Sequence, residues 1–105
     1  MTFKDREEAF ESKYKHDEDI RFRTHARRDK LFGMWAAEQM GLGEDDSLHY
    51  ARTVVQSDIK LPGDDDVIAK VKNDLDAAGI DISEHRLRKR LDECFEQAKK
   101  QIMQE

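Results

Sequence analysis

Residues 83–102 read "SEHRLRKRLDECFEQAKKQI", and the spacing inside this stretch decides the fold class. Leu87, Leu91, Cys94, Phe95, Ala98 and Ile102 recur at intervals of three and four. At about 3.6 residues per turn, that places them on one face of an α-helix. Ser83 stands where an N-cap belongs, since its hydroxyl can accept a hydrogen bond from an otherwise unpaired amide of the first turn. Glu84 adds negative charge at the positive end of the helix dipole.

Working towards the N-terminus, Ile68, Val71, Leu75 and Ala78 form a second stripe. Asp64, Asp65 and Asp66 enrich its first turn, and its end is predicted at Ala78–Gly79, with Ile80 packing back. A third stripe runs through Leu48, Ala51, Val55 and Ile59, bounded by Gly43 before it and Pro62–Gly63 after it. A fourth, longer helix is predicted to stop at Gly41, with Leu42 packing back and Ile20, Leu31, Met34 and Trp35 facing the core. No segment alternates like a strand. The predicted fold is all-α: a small four-helix bundle with a mobile, partly helical N-terminal segment.

The N-terminal segment is defined by phase. Residues 5–30, "DREEAFESKYKHDEDIRFRTHARRDK", contain no Pro or Gly and few bulky apolar residues. At about 100° per residue, Phe3, Phe10 and Tyr14 point one way, and Ile20, Leu31, Met34 and Trp35 point roughly 100° away. One straight helix cannot direct both groups at the same core. The chain is therefore divided into residues 1–19, free of the home core, and a bundle of residues 20–105. A short apolar stripe with no core of its own suits a segment that enters a partner's groove.

Composition agrees with thin helices that have wide wet faces. Charged residues make up 41% of the 105, against about 25% in typical domains, and the net charge is −5. That net charge argues against general nucleic-acid binding. Residues 20–30 are net basic and residues 31–85 net acidic, a pattern that serves solubility or a protein partner with its own charges. Cys94 is the single cysteine, so no intrachain disulfide can form, and its place on an apolar stripe predicts a buried, inert thiol. No apolar run approaches the roughly 18 residues of a membrane helix.

Sites of chemistry are scarce. His16, His25, His49 and His85 form no i, i+4 pair, and no metal site is expected. The acidic clusters "GEDDS" and "PGDDD" lack the alternating ligands and terminal Glu of a calcium loop. No catalytic constellation is present, so the chain is not expected to be an enzyme. Two basic clusters, Arg21–Lys30 and Arg86–Arg90, spread around their helices and read first as solvated faces, second as anion sites. No Gly-rich phosphate loop accompanies them.

The motifs "ARRDKLFGMWAAEQMG" (26–41) and "DREEAFESKYKHDED" (5–19) resemble the zeta subunit, the ATPase inhibitor of the alphaproteobacterial F-type ATP synthase. The resemblance continues through "YARTVVQSDI" and "PGDDDVIAKVKNDLDAAGIDISEHRLRKRLDE" into the last helix. It implies a four-helix bundle whose mobile N-terminal region inserts at a catalytic α/β interface of the soluble sector and blocks ATP hydrolysis. Here that region is residues 1 to about 19, with Phe3, Arg6, Phe10, Lys13, Tyr14 and His16 as its contact set on the helical wheel. The implied partners are the α and β subunits. The implied location is cytoplasmic, peripheral to the inner membrane through the synthase, and the free chain is expected to be monomeric.

The resemblance also implies an alternative: a weak ADP- or ATP-binding sensor module on the synthase with little inhibition. Arg27, Arg28, Lys30 and Trp35 are its candidate contacts, with no obligatory cofactor. The family pattern usually reads Arg-Arg-Asn-Lys where this chain has Arg27-Arg28-Asp29-Lys30, and Asp29 lowers the local positive charge. A third reading is a helical protein whose N-terminus pairs with itself.

Overall fold

The computed structural model describes the backbone of residues 3–60 and 63–105, and the side chains of residues 16–58 and 63–105. Four helices follow one another: α1 (Phe3–Gln39), α2 (Glu44–Lys60), α3 (Asp65–Ala77) and α4 (Glu84–Gln104). α1 is the central element. It packs against all three other helices, while α2 and α4 make no close backbone approach to each other among the described residues.

The helix ends follow the predicted chemistry. The Ser83 hydroxyl accepts a hydrogen bond from the Arg86 amide at 3.2 Å. Gly41 and Gly79 adopt φ of 76° and 78°, the left-handed conformation that a side chain would strain. Each lets the next residue's amide turn back on its helix: Leu42 N–H donates to the Ala37 carbonyl at 3.0 Å and Ile80 N–H to the Leu75 carbonyl at 2.9 Å.

The core joins Phe32 and Ala36 of α1, Val54 of α2, Val67, Ile68, Val71 and Leu75 of α3, Ile82, and Leu87, Leu91 and Cys94 of α4. α3 and α4 bury the faces their periodicity predicts, although Ala78 itself is exposed. α1 does not follow its prediction. Leu31, Met34 and Trp35 are only half-buried, whereas Phe32, Gly33, Ala36 and Ala37 are buried. A stripe chosen by side-chain size finds one face. A helix covered on several sides buries a broad arc, and the tightest part of that arc is lined by small residues.

α2 is rotated relative to its prediction for the same reason. Its buried line is Ser47, Ala51 and Val54, Val55 is half-buried, and Leu48 is 37% exposed. The close approach of α1 and α2 sets this rotation. A Cβ on Gly33 would lie 2.7 Å from the Ala51 Cα, so the two backbones touch where neither residue has a bulky side chain. Ala51 must face α1, and Leu48 is carried outward. Ile59 lies outside the residues whose side chains are described.

The phase contrast within α1 also changes. α1 is one helix across Asp17–Asp19, and its buried line runs through Thr24, Arg28, Phe32 and Ala36. At about 100° per residue, Arg28 and Phe32 fall within about 40° of the direction of Phe3, Phe10 and Tyr14. Rotation therefore does not set the N-terminal stripe apart, because α1 faces the core through Arg28 and Phe32, whereas Leu31, Met34 and Trp35 are half-buried. Position along the axis differs instead. His16, Asp17, Glu18 and Asp19 are exposed, and Ile20 is the first described side chain of α1 that is partly covered. Near that level α4 is already ending, with Glu105 paired to Arg23 and Arg27.

Candidate functional site

Of the predicted partner-binding residues, His16 is exposed on α1. The side chains of Phe3, Arg6, Phe10, Lys13 and Tyr14 lie outside the described residues. Next along the helix, Ile20, Arg21, Thr24 and His25 form one wall of a groove, and Phe95, Lys99, Ile102 and Met103 of α4 form the other. Its volume is about 350 Å³, and Met103 is 84% exposed at its edge. His25 and Phe95 meet with ring centres 6.0 Å apart, and Lys99 Nζ lies 5.0 Å from the Phe95 ring centre.

The four candidate nucleotide contacts do not converge. Arg27 donates to Gln101 Oε1 at 2.8 Å and also to Glu105 Oε1, and chiefly this second bond holds the Glu105 carboxyl below its usual pKa. Lys30 is exposed on another side of α1, beside Leu48, Arg52 and Gln56 of α2. Arg28 is buried, and three carboxylates surround its guanidinium. It reaches Asp29 Oδ1 at 3.0 Å, Asp64 Oδ1 at 3.0 Å and Asp58 Oδ2 at 3.3 Å. Burial alone would lower the Arg28 pKa, but Asp29 and Asp64 outweigh it and the net direction is upward. A guanidinium so matched is a poor receptor for another anion.

Trp35 does join a basic group, though not the one beside it in sequence. Its ring lies 13° from parallel with Phe32, with centres 5.9 Å apart. The guanidinium carbon of Arg90 sits 5.6 Å from the Trp35 ring centre, a cation–π distance. Trp35, His85, Arg86, Lys89, Arg90 and Glu93 line a groove of about 380 Å³. Arg90 pairs with Glu93 at 3.0 Å, and its buried Nε has no hydrogen-bond partner among the described residues. The second basic cluster is thus the one that gains an aromatic wall.

Hydrophobic spacing alone does not predict the cluster around Arg28. Asp29 is buried, and its carboxyl is pushed up to about 8, first by burial and then by the neighbouring Asp58 carboxyl, with Arg28 opposing. A usable signal was present. Asp29, Phe32, Gly33, Ala36 and Ala37 fall at i, i+3, i+4, i+7 and i+8. Treating the small residues as a helix–helix contact line would have drawn Asp29 into the core with them. Cys94 is buried as predicted, and burial pushes its thiol pKa up, away from reactivity.

The family model described as ATPase inhibitor subunit zeta matches residues 1–101. Three solved chains match. One, a solution NMR structure, is 36% identical, covers 81% of this chain and 96% of its own, and superposes with a TM-score of 0.73. No curated protein matches.

Proposed function

The chain belongs to the ATPase inhibitor subunit zeta family, and from that premise we propose that residues 1–19 insert at a catalytic α/β interface of the F-type ATP synthase and block hydrolysis. Membership makes the chain a regulatory subunit that acts on the ATP synthase. The insertion mechanism is our reading. The observation that carries it is the extension of α1 beyond its home bundle: the helix begins at Phe3, while Ile20 is its first partly covered described side chain. The family match spans that extension.

The mechanism follows from the cycle of such an interface, which must open and close for turnover. A helix that binds one of its conformations better than the others holds it there by its differential affinity. Phe3, Phe10 and Tyr14 supply apolar anchors. Arg6, Lys13 and His16 set register and partner choice through charge. Adding the full chain to the purified soluble sector is expected to lower ATP hydrolysis in a saturable manner. Undiminished hydrolysis at saturating chain excludes this function.

A second reading, weak binding of ADP or ATP, is favoured by one observation: the indole of Trp35 and the basic residues of α4 share one groove. The wall can stack a base, and Arg86, Lys89 and Arg90 can face phosphates. Because Trp35 is the sole tryptophan, its fluorescence reports on the groove directly. Millimolar nucleotide is expected to change that fluorescence, and replacing Arg86 and Lys89 with Gln to remove most of the change. No response to millimolar nucleotide eliminates the site.

A further inference from the structure

One guanidinium and three carboxylates meet where α1, α2 and α3 join: Arg28 and Asp29 on α1, Asp58 near the end of α2, and Asp64 just before α3. If all four were ionised, the cluster would carry a net charge of −2 around a buried guanidinium and a buried carboxyl. Uncompensated charge in such surroundings is removed most readily by taking up a proton.

The geometry says where the proton sits. Arg28 reaches Asp29 through Oδ1. The same guanidinium reaches Asp58 Oδ2 at 3.3 Å, so the Asp29 and Asp58 carboxyls are neighbours on one cation. One guanidinium cannot neutralise both, so their mutual repulsion disfavours double ionisation and a proton held between them relieves it. We propose that Asp29 and Asp58 share a proton, making the α1–α2–α3 junction a pH-sensitive clamp that is closed in mild acid and loosened in mild base.

The other groups facing the pair fit this assignment. On α1 the Arg28 guanidinium bonds both carboxyls and opposes the rise at Asp29. At the start of α3, Asp64 takes the third arm of Arg28 and has its side chain about half in solvent. From α4 the titratable neighbour is the Cys94 thiol, which senses both Arg28 and Asp29 and stays protonated through neutrality. Burial raises the Asp29 pKa from 3.8 to about 8. The folded chain therefore holds a proton that the unfolded chain releases across that window. The resulting stability is fully present below the unfolded value and is lost as pH rises through the folded one. Within the window the folding equilibrium constant falls by up to about tenfold per pH unit. The shared proton would thus govern how firmly α2 and α3 grip α1.

The test uses the full chain. In uniformly ¹³C-labelled protein, the side-chain carboxyl carbon of Asp29 is expected to titrate well above pH 6. The Asp58 carboxyl carbon and the Asp64 and Asp65 amides should move with the same midpoint. A midpoint for Asp29 below pH 5 overturns the proposal. Asp29→Asn removes the proton site while keeping the shape, so the fall in Tm between pH 6 and pH 9 should be smaller than in the unaltered chain. Equal falls in both proteins also overturn it. If the variant does not fold, the carboxyl titration of the unaltered chain decides alone.

Discussion

Removing residues 1–16 is expected to leave a folded bundle that no longer restrains ATP hydrolysis. The described core residues lie between Phe32 and Cys94, with further buried side chains from Thr24 to Ile102. The truncation touches none of them, so the thermal transition should move little. Binding should suffer greatly, because Phe3, Phe10 and Tyr14 leave together. Fully burying a large apolar side chain contributes about 1.5–3 kcal/mol. Losing even two such anchors corresponds to at least about a hundredfold in affinity. The measurement is hydrolysis by the soluble sector against added chain, with circular dichroism of both proteins as the folding control. Equal inhibition by the truncated and full chains would refute insertion while leaving the family role intact.

Phe32→Ala is expected to remove a large share of the total stability. Phe32 is 0% exposed, sits in the central cluster and stacks on Trp35. Truncating a buried Phe typically costs about 3–5 kcal/mol, from lost burial and the cavity left behind. A domain of this size is stable by only roughly 5–15 kcal/mol. Each kcal/mol lowers Tm by roughly 4–8 °C in a domain of up to about 100 residues. Phe22, ten residues earlier on the same helix, supplies the control. It is 61% exposed, so Phe22→Ala should change stability by no more than about 0.5 kcal/mol. Urea unfolding of both variants checks the contrast. Comparable losses would show that α1 is seated differently from the arrangement described.

These two phenylalanines also show what could be read in the chain before its fold was seen. Helix class, helix ends and the core faces of α3 and α4 were legible because they depend on local chemistry: a Ser83 cap, left-handed glycines and a single apolar stripe. The rotations of α1 and α2 were not. They depend on which helix lies at the centre, and hydrophobic spacing does not encode that. Phe32 lies off the line joining Ile20, Leu31 and Trp35, so spacing by side-chain size does not select it. The separation of the first basic cluster has a related cause. Arg27, Arg28 and Lys30 are close in sequence, but a helix sends them to Glu105, to a buried carboxylate cluster and to the α2 side respectively. Trp35 finds its basic neighbours some fifty residues away, a pairing that only tertiary structure creates.

The contact between Gly33 and Ala51 has a meaning for divergence among sequences of this kind. An added methyl at 33 meets backbone at 2.7 Å, and backbone cannot move aside as a flexible side chain can. Ala51 already carries the smallest side chain. Of the two positions, only 51 can still give up a carbon, and only by becoming glycine. Descendants that drift at 33 must change at 51 or reset the crossing of two helices, so the pair should be inherited as a unit.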